Sequence, residues 1–403
     1  MPAQVYLDNA ATTPLDPRVA EAMRPWLGET FGNASSLHAI GRQARQAVDV
    51  SRRQVAALLN VDPGEIVFTA SGTEADNLAL KGTVEASPGR PCHVVTSQIE
   101  HPAVLETCRY LERHGTEVSY LPCGEDGIVS PLALRNAMRP ETRLVSIMAA
   151  NNVTGVVQPI AELGRITRER GALFHTDAVQ AAGKLPFDLR AQPIDLLSLS
   201  AHKLHGPQGV GVLYVRSGLK LEPLVHGGGQ ERGLRSATEF VAGVVGLGRA
   251  AEIARSEMSA EAVHLVALRD RLIETIATRI PGAYLIGHRH RRLPGHICLG
   301  FAGHEGEAIK LLLALDEQGF AVSSGSACSA DHASEPSYVM LAMGFDALRA
   351  RGSLRVTLGR FNTGAEVDRF LEVLPPLVKS LRPVSTRVPA AHFSLNSTFA
   401  YKS

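Results

Sequence analysis

The sequence has almost no net charge to offer a partner: 41 Lys and Arg stand against 40 Asp and Glu, a balance of +1 over 403 residues. That excludes long-range attraction of a polyanion, so neither nucleic acid nor anionic lipid is an expected partner. Long hydrophobic runs are missing too, since no stretch approaches the roughly 18 apolar residues of a membrane span. The opening MPAQVYLDNAATTPLD lacks the basic and then apolar regions of a signal peptide. A cytoplasmic protein with no membrane partner is expected. Cysteine is scarce: Cys92, Cys108, Cys123, Cys298 and Cys328 are odd in number and scattered, which excludes a disulfide scaffold and predicts reduced thiols. There is no internal repeat and no low-complexity tract.

What is present is an ordinary globular composition, 45% apolar and 20% charged, in a chain of 43.0 kDa, long enough for one large domain and a smaller one. Short β-branched runs at 65–69, 93–97, 144–149, 173–177, 196–200 and 210–215 alternate with amphipathic segments such as 103–114 and 160–170, the second followed by Gly171 as a left-handed cap. This predicts an α/β fold with a mostly parallel central sheet flanked by helices. The texture changes near Ala250. A helix is predicted over 260–280, then strands at 283–286 and 297–301 and a helix over 305–318, and the tail after Pro383 reads as irregular. The expected division is a large domain at 13–255 and a small α+β domain made of 1–12 and 256–403.

In open α/β sheets ligands bind beyond the carboxyl ends of the strands, and four candidate strands end there in polar clusters: 69–74, 97–101, 176–180 and 200–203. A strand turning through Ser71, Gly72 and Thr73 into a helix offers backbone N–H groups and hydroxyls to a phosphate, or simply caps the helix. Lys203 sits straight after a buried strand in SLSAHKLHGPQG; there it is either a partly desolvated amine able to bond covalently to a carbonyl, or a snorkelling surface lysine. Asp177 is either a carboxylate deep enough to hold a pyridinium nitrogen protonated, or a helix cap. Phosphate turn, Asp and Lys in this chain order are far more specific together than singly.

SAHK (200–203) with GP (206–207), TDAVQ (176–180), YLDNAATTP (6–14) and EH (100–101) resemble the motifs of class V aminotransferase-type, fold type I pyridoxal phosphate enzymes. SSGSACS (323–329) and RGSLRVTLGR (351–360) narrow the resemblance to the cysteine desulfurases of the NifS/IscS type. It implies pyridoxal 5'-phosphate as cofactor, with Lys203 bonded to it, Asp177 on its ring nitrogen and His101 stacked on the ring. Asn152 and Gln180 would contact the ring oxygen, and Gly72, Thr73, Ser200 and His202 would hold the phosphate. Thr238, in RSAT (235–238), matches a threonine that reaches the neighbouring subunit's phosphate, so a homodimer with shared active sites is implied. Arg355, together with Asn152, would bind the carboxylate of L-cysteine.

Cys328 lies among small residues from Ser323 to Ala330, with nothing bulky to pack against, which predicts a mobile loop and leaves open a reactive or an inert thiol. The resemblance implies that it takes the substrate sulfur as a persulfide, releasing L-alanine, and passes it to an acceptor such as an iron-sulfur scaffold or a thiolation enzyme. The other four cysteines read as structural. No permanent metal site is expected, because His202 with His205 and His296 with Cys298 lack further ligands; Cys328 is a candidate transient iron-sulfur ligand. Two features depart from the usual family form: Val153 and Ala149 replace a Glu and a His around the NN pair (151–152), and the stretch from Cys328 to Glu335 is one residue longer. The rival readings are a selenocysteine lyase or other β-lyase on the same fold, and a non-catalytic sulfur carrier.

Overall fold

The computed structural model describes residues 4–86, 89, 92–325 and 335–381. Its strands, in chain order, are β1 (Val5–Tyr6), β2 (Ile66–Thr69), β3 (His93–Ser97), β4 (Glu117–Leu121), β5 (Thr142–Ser146), β6 (Leu173–Asp177), β7 (Leu196–Ser200), β8 (Gly211–Val215), β9 (Ala283–Leu285), β10 (His296–Phe301), β11 (Phe320–Ala321), β12 (Ser323–Ser324) and β13 (Leu354–Thr357). Seven of them form one sheet in the order β2-β8-β7-β6-β5-β3-β4. All pairs from β7 to β4 are parallel, and only β8 runs antiparallel to its two neighbours. The expected α/β architecture is therefore present.

The strands are β-branched and apolar on both faces because both faces are covered by helices. Val67, Val94, Leu144 and Leu213 pack on one side with the helices Gly72–Glu85 and Pro102–Arg113. Phe68, Val95, Val145 and Val212 pack on the other, with Val48 and Val55 of the helix Ala39–Leu59 and Leu163 of the helix Ile160–Glu169. Gly171 takes the left-handed conformation (φ 74°) that ends the latter helix. β4 has no counterpart among the expected strands, because it is an edge strand whose outer residues stay partly exposed and no continuous apolar run marks it.

A second core surrounds Leu272, Ile297, Phe320, Val356 and Phe370. It is built from a four-stranded antiparallel sheet, β12-β13-β10-β9, the two-stranded pair β1-β11, and the helices Ala308–Glu317 and Gly364–Ser380. The helix expected from residue 260 begins far earlier, running over Val241–Arg279 and straight through residue 255. Gly243, Gly246 and Gly248 weaken the helical signal in its first turns. They are there because neighbours press close: a Cβ at Gly246 would lie 2.6 Å from Met23 Sδ, and one at Gly248 would lie 2.5 Å from Gln54 Oε1. This helix contributes side chains to both cores.

Candidate active site

Strand register brings the polar strand ends together. Gly211 pairs with both Thr69 and Ser200, so the carboxyl ends of β2 and β7 lie side by side around it, and Asp177 pairs with Ser198 on the next strand. A Cβ at Gly211 would meet the Ser71 carbonyl carbon at 2.5 Å, so only glycine lets the 71–72 turn fold over the sheet. The helix Gly72–Glu85 starts from that turn. Ser71 caps it by accepting from Glu74 N at 3.1 Å, and the Ser71 carbonyl takes the Ala75 N–H. The N–H groups of Gly72 and Thr73 lie at the positive helix end, where an anion is favoured. Gly72 is pressed against Val179, 2.6 Å from where a Cβ would sit, which fixes this helix end beside the Asp177 turn. Ser200 is buried at the end of β7, and Thr73 is exposed on the first helical turn.

The N-terminal segment 8–13 ties the remaining groups together. Lys203 Nζ donates to the carbonyls of Ala10 and Ala11 at 2.5 and 2.6 Å, and Gln180 Nε2 donates to the same Ala10 oxygen at 2.8 Å. His202 Nδ1 meets Thr12 Oγ1 at 3.1 Å. Arg355, buried on β13, donates from Nη1 to the Asn152 carbonyl at 3.0 Å and from Nη2 to Asp8 Oδ1 at 2.9 Å, while its Nε finds no acceptor among the described residues. The YLDNAATTP run carries part of the family resemblance, yet the sequence indicates no role for Asp8 or Ala10. Their contacts are made across the whole length of the chain, and no local spacing reveals them.

Asp177 is buried, with Oδ1 accepting from Val179 N at 2.9 Å, but this closes only a local turn: no helix follows β6, so the helix-cap alternative does not hold. Burial pushes its carboxyl upward, and His101, the Val179 N–H and Lys203 pull it back. His101 caps the helix Pro102–Arg113, accepting from Ala103 N at 3.1 Å, and burial lowers its imidazole against the upward pull of Asp177. His202 is lowered to about 4, first by burial and then by Lys203 and Lys184.

Beneath Asp177 lies a buried acid layer that sequence reasoning missed. His175, two residues back on β6, contacts Ser146 Oγ at 2.8 Å and Ser198 Oγ at 3.0 Å, and stands 3.6 Å from Asp76 Oδ1. Burial lowers His175 to about 3 and raises Asp76, which Asp177 raises further. Glu100 accepts from Ser97 Oγ and Met148 N, and burial raises it to about 8. The folded state thus keeps a proton on Glu100 from about pH 4.5 to 8 that the unfolded chain has lost, so stability falls as pH rises through that window. A Glu100→Gln variant has no such proton. Urea unfolding at successive pH values should show it gaining on the wild type by about 1 kcal/mol per pH unit; a pH-independent difference would mean that Glu100 is ionised in the fold.

Cys328 falls outside the described residues, but both flanks of its segment are fixed at the site. Ser323 pairs with Arg355, and Gly325 N donates to Ser353 Oγ at 2.9 Å. On the other flank Tyr338 Oη donates to the Glu100 carbonyl at 2.7 Å, next to His101. The four described cysteines are free, and burial pushes Cys108 to about 12 and Cys123 and Cys298 to about 11, which makes them poor nucleophiles. Val153, where the family usually has Glu, is buried and needs no polar partner: its amide donates to Asn151 Oδ1 and its carbonyl accepts from His296 Nε2. Thr238 is exposed, three residues beyond Arg235, whose Nε holds Glu74 at 2.8 Å.

The residues fit pyridoxal phosphate. Gln180 Oε1 is buried without a partner among the described residues, as it would be if a polar group belonged there. A buried carboxyl such as Asp177 ionises fully only against a buried cation, and a protonated ring nitrogen is one.

The family model described as aminotransferase class-V matches residues 5–370. The cysteine desulfurase IscS of Methanosarcina thermophila is 48% identical over 391 residues, covering 97% of this chain and 96% of that relative. A solved NifS-like protein superposes with a TM-score of 0.87 at 40% identity, covering 94% of this chain and all of that one. A structure of SspA in complex with cysteine gives a TM-score of 0.77 at 36% identity, covering 89% of this chain and 99% of the other.

Proposed function

Since this chain belongs to the class-V aminotransferase family and is a pyridoxal-phosphate-dependent cysteine desulfurase of the NifS/IscS type, we propose that the groups gathered around Ala10 and Asp177 are its catalytic machinery. The observation that carries this reading is that Lys203 and Gln180 share one carbonyl, Ala10 O, beside the strand end that Asp177 closes. The cofactor, when bound, supplies an electron sink for charge developing at the substrate Cα. Lys203 would hold the cofactor covalently, and its free, neutral amine would take the Cα proton of L-cysteine. Asp177 would keep the ring nitrogen protonated, His101 would lie against the ring, and Asn152 and Gln180 would hold the ring oxygen. Gly72, Thr73, Ser200 and His202 would enclose the phosphate.

Arg355 fixes the substrate carboxylate. Its planar fork already spans Asn152 O and Asp8, and a lysine cannot reproduce that geometry. Arg355→Lys should raise KM for L-cysteine about 10- to 100-fold in an alanine-formation assay with less change in kcat; an unchanged KM would remove Arg355 from substrate binding. The Cys328 thiolate attacks the substrate sulfur, forming an S–S bond as the Cβ–S bond breaks, and a proton on Cβ completes L-alanine. An acceptor protein then takes the sulfur from Cys328.

A homodimer with shared sites is the reading of Thr238. Leu27, Phe31, Leu37, Ile40 and Phe240 are 66, 69, 89, 43 and 50% exposed around the start of the long helix, an apolar area that a second copy would cover. Sedimentation at twice the mass of one chain is expected, and a monomer at micromolar concentration would contradict it. No helix among the described residues is long and apolar enough to cross a membrane.

A further inference from the structure

Lys203 also borders a narrow, partly open cavity between the loops of the large sheet, the long helix and the second core. The space open to the centres of water molecules is about 30 Å3, room for one or two waters. Its charged and titratable wall is Lys184, Lys203, His205, Glu261, His296 and Arg360. The carboxylate among them, Glu261, is already held by Arg360 at 2.9 Å. Both histidines are neutral: His205 Nδ1 faces Pro14 O at 2.9 Å, His296 Nε2 faces Val153 O at 3.0 Å, and burial lowers each. The Lys184 side chain makes no hydrogen bond or ion pair among the described residues, and its charge is drawn by Glu261 and opposed by Lys203. On its other sides Lys203 faces Asp8, His101, Asp177 and His202.

We propose, resting on the reading of Lys203 as the cofactor lysine, that Lys184 is a positioning residue whose ammonium repels positive charge on the Lys203 nitrogen across this cavity. A like charge in a small, poorly solvated space weakens proton binding at its neighbour, the means by which a lysine becomes a nucleophile near neutrality. The repulsion is mutual, and burial together with Lys203 brings Lys184 itself to about 8, so it still carries its charge at pH 7. Lys184 thereby favours the neutral Lys203 amine. That amine donates its lone pair to the cofactor's aldehyde carbon, and its two hydrogens leave with the carbonyl oxygen as water. The asymmetry of the surroundings matters: Asp8 and Asp177 draw a proton toward Lys203, and Lys184 opposes them.

The test is a pH titration of the visible absorbance of the full-length protein with bound pyridoxal phosphate, which follows the proton on the Lys203 nitrogen. Lys184→Met and Lys184→Gln should each move the midpoint up by about one pH unit, a tenfold gain in proton affinity, while Lys184→Arg keeps the wild-type midpoint. An unmoved midpoint in either folded neutral variant, or an equal shift in the Arg variant, would overturn the role of Lys184. A wild-type protein lacking a visible band that Lys203→Ala removes would defeat the assignment of Lys203 instead.

Discussion

Replacing Lys203 with alanine is expected to abolish the visible absorbance of bound cofactor and to lower alanine formation from L-cysteine by about 10³-fold or more. The size follows from two losses at one atom. The amine both anchors the cofactor and moves the substrate's Cα proton, and no other base is as well placed: His101 faces the same pocket but its Nδ1 is occupied by the Ala103 N–H. The fold should survive the change, because the hydrogen bonds that Lys203 donates to Ala10 and Ala11 lie at the edge of the site. Circular dichroism unchanged alongside a colourless protein is the expected pair of results. Turnover retained at the wild-type rate would remove Lys203 from the chemistry.

Cys328→Ser should give the opposite pattern. Colour and cofactor binding are kept, because no group assigned to the cofactor is altered, while persulfide on the protein disappears and sulfur release falls roughly a hundredfold or more, since a hydroxyl is a far weaker nucleophile than a thiolate. The remaining cysteines do not substitute, their thiols being held at about 11 or above for Cys108, Cys123 and Cys298. Mass spectrometry of the protein after exposure to L-cysteine reads the persulfide directly, and a persulfide still present on Cys328→Ser would place the acceptor thiol elsewhere. Parallel rates with L-selenocysteine separate the selenocysteine lyase reading: full activity toward the selenium substrate without Cys328 would favour it.

Much of this site is legible in the sequence because its residues sit at strand ends, where an apolar run gives way to a polar cluster. Asp177, Lys203, His101 and the Ser71–Thr73 turn all stand out in that way, and β3, β6 and β7 have the expected bounds. What stays hidden depends on contacts distant in sequence. Asp8 meets Arg355 only after the chain returns through β13, and Asp76 reaches His175 on β6 from the helix Gly72–Glu85. Such pairs leave no periodicity to read. The early start of the long helix is masked by glycines that serve close packing rather than helix formation. Lys184 resembles one more polar residue in a loop until the fold places it on the cavity it shares with Lys203.

The most direct measurement is to reduce the full-length protein with borohydride while pyridoxal phosphate is bound, digest it, and locate the pyridoxyl group by mass spectrometry. The account predicts a single modified residue, Lys203. Modification of Lys184 or another lysine instead, or none at all, would contradict it.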